Sequence, residues 1–265
     1  MLLVESICKT FNPGGVNQKV ALKDISVHLQ RGDVVTIIGG NGAGKSTLLN
    51  AVAGVISIDR GRIVLAGKQI HNQQEHKRAG SIGRVFQDPM LGTAASMTIE
   101  ENLALAIRRG HPKSLRWGVS RKERQFFQER LELLELGLED RLSAKAGLLS
   151  GGQRQALTLL MATITAPSLL LLDEHTAALD PKTASKVMNL TRTIVKENHL
   201  TTIMVTHNME QALSFGSRLL MLHEGTILLD IQGAQKAETR VPDLLAMFEK
   251  ESGKTLENDR MLLAN

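Results

Sequence analysis

Residues 39–46 read GGNGAGKS, a match to the phosphate-binding pattern G-x-x-x-x-G-K-[ST]. A short apolar strand pattern over 33–38 leads into it, and Leu48, Leu49 and Val52 behind it share one helical face that ends at Gly54. Strand, glycine loop and helix in that order turn successive backbone N–H groups into one concavity, and a helix N-terminus favours an anion there. Lys45 is then placed on the β- and γ-phosphates of a nucleotide, and the Ser46 hydroxyl is placed to ligate Mg²⁺. The expected nucleotide contacts are Gly39, Gly40, Asn41, Gly42, Ala43, Gly44, Lys45, Ser46 and Thr47. A plain glycine-rich turn is the alternative, and the strand before and the helix after count against it.

Farther along, residues 169–174 read LLLLDE, an apolar strand ending in two carboxylates. Asp173 at the strand end suits Mg²⁺ held through water, and Glu174 suits a general base that orients and deprotonates an attacking water. An apolar strand ending in Asp-Glu is common and often structural; it takes chemical meaning from the loop at 39–46. Residues 149–153, LSGGQ, combine a serine hydroxyl, two glycines and a following helix, the composition of a helix N-terminus that receives an anion. A structural loop with an N-cap would look much the same in isolation.

Around these motifs the periodicity changes twice. The first thirty residues alternate as strands do, clearest at Ile25, Val27 and Leu29, with a turn at 12–15. Residues 62–65 and 82–86 read as further strands. From about Thr98 to Leu148 the pattern is helical, with capping-box spacing at Thr98/Glu101 and Ser120/Glu123 and Gly137 expected to end the second helix. Buried-type strands return at 169–172 and 202–205, and Asp180-Pro181 opens a helix through about Lys196. A hairpin over 218–222 and 226–230 and a last helix over 242–250 complete the pattern. The expected fold is α/β: a mixed sheet core, an N-terminal antiparallel β layer and a helical subdomain inserted at about 88–150. The main domain is expected over 1–230 and a short helical extension over 231–265, fraying from 253 on.

Composition narrows the function. Hydrophobic residues at 42% and charged residues at 22% are ordinary globular usage, so the 265 residues are expected to fold. No apolar run approaches the length needed to cross a bilayer, and residues 1–10 lack a signal-peptide pattern. One cysteine, Cys8, excludes an intramolecular disulfide and a cysteine metal cluster and fits a reducing compartment. The net charge of +5 is dispersed, with short clusters only at Arg108, Arg109 and at Arg121, Lys122, Arg124. Aromatics at 3%, with no tyrosine, offer little for stacking bases, so no nucleic acid is expected as partner.

With the loop at 39–46, LSGGQ at 149–153 and LLLLDE at 169–174 in this order and spacing, the chain resembles the ATP-binding subunit of bacterial ABC transporters over nearly its whole length. The resemblance implies a P-loop NTPase with ATP and Mg²⁺ as cofactors, working as a head-to-tail homodimer. Each ATP would lie between the P-loop of one chain and Ser150, Gly151, Gly152 and Gln153 of the other. It implies that Gln87 in VFQDP senses Mg²⁺ or water, that His207 in VTHN bonds the γ-phosphate, and that 178–180 contact the other chain. Phe11 falls where an aromatic ring lies against adenine. Two departures are Gly40, where proline or serine is frequent, and His175, where proline is common after the glutamate.

The same resemblance implies an integral membrane permease as partner, an extracytoplasmic substrate-binding protein acting indirectly, and a peripheral place on the cytoplasmic face of the membrane. Residues 88–97 are the candidate groove for a coupling helix of the permease. The runs FNPGGVNQK, GRVFQDPMLGT and LLLLDEHTAALDPKT look closer still to ATPases accompanying branched-chain-type permeases and substrate-binding lipoproteins, which suggests solute import and amino acid uptake. An ATPase for export or lipoprotein extraction, or a soluble nucleic-acid machine of the same class, are the alternatives. The last usually carries long coiled coils or two nucleotide domains, which are not seen in this chain.

Overall fold

The structure, a computed structural model, describes residues 1–110 and 118–253. From the N-terminus, β1 (Leu2–Phe11), β2 (Lys19–Leu29) and β3 (Val34–Ile38) precede α1 (Lys45–Ala53). Then come β4 (Arg60–Leu65), β5 (Lys68–Gln69), α2 (Glu75–Arg78) and β6 (Ile82–Val85). The helices α3 (Ile99–Ile107), α4 (Arg121–Glu132) and α5 (Gly151–Thr163) follow, then β7 (Leu169–Asp173) and α6 (Pro181–Glu197). Last are β8 (Thr202–Val205), α7 (Met209–Ser214), β9 (Arg218–His223), β10 (Thr226–Gln232), α8 (Gly233–Glu238) and α9 (Val241–Ser252). These form two compact units: Met1–Arg78 with the described residues from Thr201 on, and Ala79–Leu200.

In the first unit β2, β1, β4 and β5 form an antiparallel layer in that order. Alternation drives it: Leu2, Val4, Ile25, Val27 and Leu29 are buried while residues between them are half-buried or exposed. The apolar strand β3 pairs in parallel with β8 and β9, and β9 returns antiparallel to β10, so the sheet is mixed. Glu224 at φ 47° and Gly225 at φ 82° make the tight left-handed turn of that hairpin. Ile38, Met209, Leu219, Met221, Leu244 and Phe248 form one of its cores.

In the second unit β6 and β7 pair in parallel, and Leu169, Leu170, Leu171 and Leu172 are wholly buried. Between these strands α3, α4 and α5 close on Ile99, Leu103, Phe127, Leu131 and Leu157. Both expected capping boxes form, Thr98 with Glu101 and Ser120 with Glu123. The end of α4 differs from expectation: it stops at Glu132, short of Gly137. The Leu134 and Glu135 N–H groups turn back to Leu131 O and Glu132 O, and Glu135 at φ 54° leaves the right-handed path before Gly137 is reached. No helix among the described residues is long and apolar enough to cross a membrane. The expected fraying beyond Gly253 lies outside the described residues.

Candidate functional site

The glycine loop leaves β3 through conformations that only glycine holds without strain. Gly39 has φ 148°, and a Cβ there would stand 2.2 Å from Leu222 O; Gly44 has φ 106°, and its Cβ would stand 2.6 Å from Ala21 O. The loop is thus wedged between neighbouring backbones, and α1 starts directly from it at Lys45. No side chain caps that N-terminus and its first turn holds no acidic residue, so its N–H groups and dipole keep their positive end for an outside anion. Lys45 is 5% exposed, and its Nζ donates to Gly39 O (2.7 Å) and Gly40 O (3.1 Å). Its ammonium therefore stands under the loop that a phosphate would fill. Asn41, Gly42 and Ser46 are exposed, Gly40 and Thr47 are half-buried, and Ala43 is buried.

Phe11, Lys19 and His207 belong to the same unit as this loop. Phe11, 37% exposed at the end of β1, is the cross-strand partner of Lys19. Lys19 Nζ lies 3.3 Å from where a Gly42 Cβ would be, which adds a second cation at the rim of the loop. The sequence reading missed Lys19; its only signal is a basic residue just past the turn that follows Phe11. His207 sits half-buried beyond β8. The backbone around it is fixed by Thr206 Oγ1 donating to Gln211 Oε1 (2.5 Å), Asn208 N–H donating to Thr206 Oγ1 (3.1 Å), and Asn208 Oδ1 accepting from Gln211 N–H (2.8 Å).

The remaining predicted residues belong to the second unit. Asp173 ends β7 half-buried, its Oδ2 3.2 Å from an Arg84 Nη2 whose guanidinium stacks 4.6 Å over the Phe86 ring. Glu174 follows at φ 47°, an unusual state for a residue with a side chain. His175 is 2% exposed with Nε2 3.0 Å from Thr191 Oγ1, and burial pushes its imidazole down to about 4. Gln87 is exposed one residue past Phe86, whose carbonyl accepts from Gln155 Nε2 at 3.0 Å.

LSGGQ forms the start of α5. Ser150 Oγ accepts from Gln153 N–H (3.3 Å), and Gln153 Oε1 accepts from Ser150 N–H (3.2 Å). Gln153 Nε2 also donates to Leu136 O (3.3 Å), so this side chain serves to shape the turn. Ser150 and Gly151 are exposed. Gly152 is buried, and a Cβ there would stand 2.2 Å from Thr183 Cγ2. At the start of α6, Asp180 Oδ1 accepts from Thr183 N–H at 3.1 Å, and the hydrogen bonds from Thr183 hold its carboxyl below the usual range.

Parallel strands leading into a glycine loop, an uncapped helix N-terminus and a lysine folded under the loop define a P-loop nucleoside triphosphatase. The chain belongs to the ABC transporter family, whose model matches residues 22–177. It is 45% identical over 250 residues to the tyrosine transport ATP-binding protein of Clostridioides difficile (strain R20291), covering 94% of this chain and 99% of that one. Identity to the methionine import ATP-binding protein MetN of Rhizobium etli is 36% over 212 residues, 78% of this chain and 56% of that longer one. Among solved structures, the dimeric post-hydrolysis state of the ATP-binding cassette MJ0796 bound to ADP and Pi aligns with TM-score 0.75 at 28% identity, covering 88% of this chain and 98% of that one. The protein is an ATP-binding, ATP-hydrolysing subunit that energises a membrane transporter.

Proposed function

We propose that the chain drives import of a small solute, with an amino acid as the leading class, and that two copies close around two MgATP molecules. The solute class is supported by the near full-length relationship to the tyrosine transport protein. The shared site is supported by one structural observation: α1 presents an uncapped N-terminus with Lys45, and a second helix, α5, begins with Ser150 and Gly151 exposed.

In this reading the α1 amides and Lys45 hold the β- and γ-phosphates, Lys19 adds charge at the rim and Phe11 stacks on adenine. Ser46 and Asp173 suit Mg²⁺, with Gln87 reporting on it. Among the described residues no group of three or more His, Cys, Asp and Glu could hold a metal ion, which fits a Mg²⁺ completed by phosphate and water. Glu174 takes the proton of the attacking water, and His207 bonds the γ-phosphate. Ser150, Gly151 and Gly152 of the second copy complete that phosphate's shell. Charge-assisted hydrogen bonds contribute about 1.5–3 kcal/mol each, so several of them make closure depend on ATP and reopening depend on hydrolysis.

Closure is passed on through a permease that keeps the chain at the cytoplasmic face of the membrane. Its docking segment is 88–97, where Met90 and Leu91 are 52% and 68% exposed. Asn102, 1% exposed, fixes this segment from below: its Oδ1 accepts from Ala94 N–H, and its Nδ2 donates to Ala94 O and Thr98 O. Leu91→Arg is expected to leave ATP hydrolysis intact and abolish its stimulation by the permease.

The deciding test is light scattering of purified Glu174→Gln with and without MgATP. A dimer that forms only with MgATP is expected. A monomer at saturating MgATP, with nucleotide bound, would refute the shared site. Uptake of labelled tyrosine by cells carrying Lys45→Ala in place of the wild-type chain tests the solute class, and undiminished uptake argues against it.

A further inference from the structure

The loop that carries Glu174 out of β7 turns on itself before α6 begins. Within it Ala177 N–H donates to Glu174 O (2.9 Å) and Leu179 N–H to Thr176 O (3.2 Å), both local turns. His175 reaches beyond the loop, to Thr191 in the middle of α6, and both side chains are buried, at 2% and 0% exposure. The proton in that contact can be assigned. Thr191 Oγ1 lies 2.8 Å from Val187 O and donates its single proton there. It therefore accepts from His175, and His175 Nε2 carries the hydrogen.

We propose that His175 is a positioning residue for hydrolysis: its Nε2–H bond to Thr191 pins the loop to α6 and thereby aims the carboxylate of Glu174. This rests on Glu174 being the general base. The adjoining backbone explains why a pin is needed. Glu174 stands at φ 47°, a state that a residue with a Cβ keeps only where its surroundings over-determine it. Its own side chain has to reach a water held by other groups, and misplacement by about 1 Å can cost up to roughly a hundred-fold in rate. A buried, tautomer-fixed imidazole one residue away supplies a directional anchor at that point. Phosphate binding belongs to other residues, so the anchor acts on turnover and not on ATP affinity.

The test pairs kinetics with spectroscopy. Thr191→Val removes the acceptor at nearly constant volume and is expected to lower kcat about ten-fold with KM for ATP unchanged. Thr191→Ser, which keeps the hydroxyl, should retain kcat. In single-turnover measurements on a Glu174→Gln background, Thr191→Val should cause no further loss. Nitrogen-15 NMR of labelled histidine should show His175 as the Nε2–H tautomer, with that signature lost in Thr191→Val. A folded Thr191→Val with normal kcat overturns the proposal, as does an equal loss in both backgrounds or an Nδ1–H tautomer. If Thr191→Val does not fold, His175→Gln against His175→Leu asks the same question, because only the amide can still donate to Thr191. Wild-type turnover in Glu174→Gln alone would instead remove the base assignment, while the NMR still reads the hydrogen bond.

Discussion

Replacing Arg78 tests how the P-loop helix is held at its far end. Arg78 is 3% exposed, and its guanidinium donates to Ala51 O (2.7 Å), Val52 O (2.8 Å), His71 O (3.0 Å) and Gln73 O (2.9 Å). The first two are carbonyls of the last turn of α1, where the helix dipole is negative. Burial lowers the guanidinium pKa, but an arginine starts so high that it stays charged at neutral pH. In Arg78→Met the volume is kept and the carbonyls lose their donors. A buried unsatisfied polar group costs about 1–3 kcal/mol. Relief from burying a charge and partial entry of water offset part of that sum, leaving about 3 kcal/mol. For a chain of this size that loss lowers Tm by about 6–12 °C. Scanning fluorimetry with and without MgATP reads it, and the stabilisation by nucleotide should also shrink, because α1 carries Lys45 and Ser46 at its other end. Arg78→Lys, with one point charge for four carbonyls, should fall between. A Tm within about 2 °C of wild type would refute this account of the guanidinium.

Gly39→Ala must escape both a φ of 148° and a 2.2 Å approach to Leu222 O. We expect at least about 2 kcal/mol of destabilisation and a loss of ATP binding visible by calorimetry. Lys19→Met should raise KM for ATP severalfold with kcat kept, and should weaken the salt dependence of binding; unchanged affinity for the triphosphate would remove Lys19 from the site. Lys236 is buried against Phe215 O (2.6 Å) and Gly216 O (3.0 Å), and burial lowers its pKa from 10.5 to about 8. The folded state thus loses this proton before the unfolded state does. The cost of burying the charge is full below about pH 8 and is relieved as pH rises toward 10.5. The Tm of wild type relative to Lys236→Met should therefore increase between pH 7 and pH 9.5, and a flat difference would refute the assignment.

What the sequence makes legible is what local physics decides. The glycine loop is readable because its backbone requirement falls on Gly39, Gly42 and Gly44 themselves, and the helix starts at Thr98 and Ser120 are readable because cap and partner sit three residues apart. Helix ends are less so: α4 is closed by a left-handed Glu135, which no residue preference announces. The short α2, α7 and α8 span too few residues for an apolar stripe to show. Lys19 was hidden for a different reason. Its place opposite Phe11 depends on register shifts in β1 between Val4 and Ile7, Ile7 and Lys9, and Lys9 and Thr10, and alternation alone cannot count such bulges.

The least legible layer is the set of buried polar side chains that hold the motifs. Arg78 fastens the last turn of α1, Gln155 fastens the strand end before Gln87, Asn102 fastens the segment 94–98, and His175 fastens the loop after Asp173. All four are buried, and all bond to groups that a sequence reading cannot pair with them, since mostly the acceptor is a backbone carbonyl that every residue type carries. Yet burying a polar group is costly unless it is satisfied, so each of these residues persists only where the tertiary structure supplies a partner. Each therefore reports a place where the fold has spent stability on geometry. In this chain those places adjoin the far end of the phosphate-loop helix, Gln87, the exposed Met90–Leu91 segment and Glu174, so the motifs readable in one dimension are held by residues readable only in three.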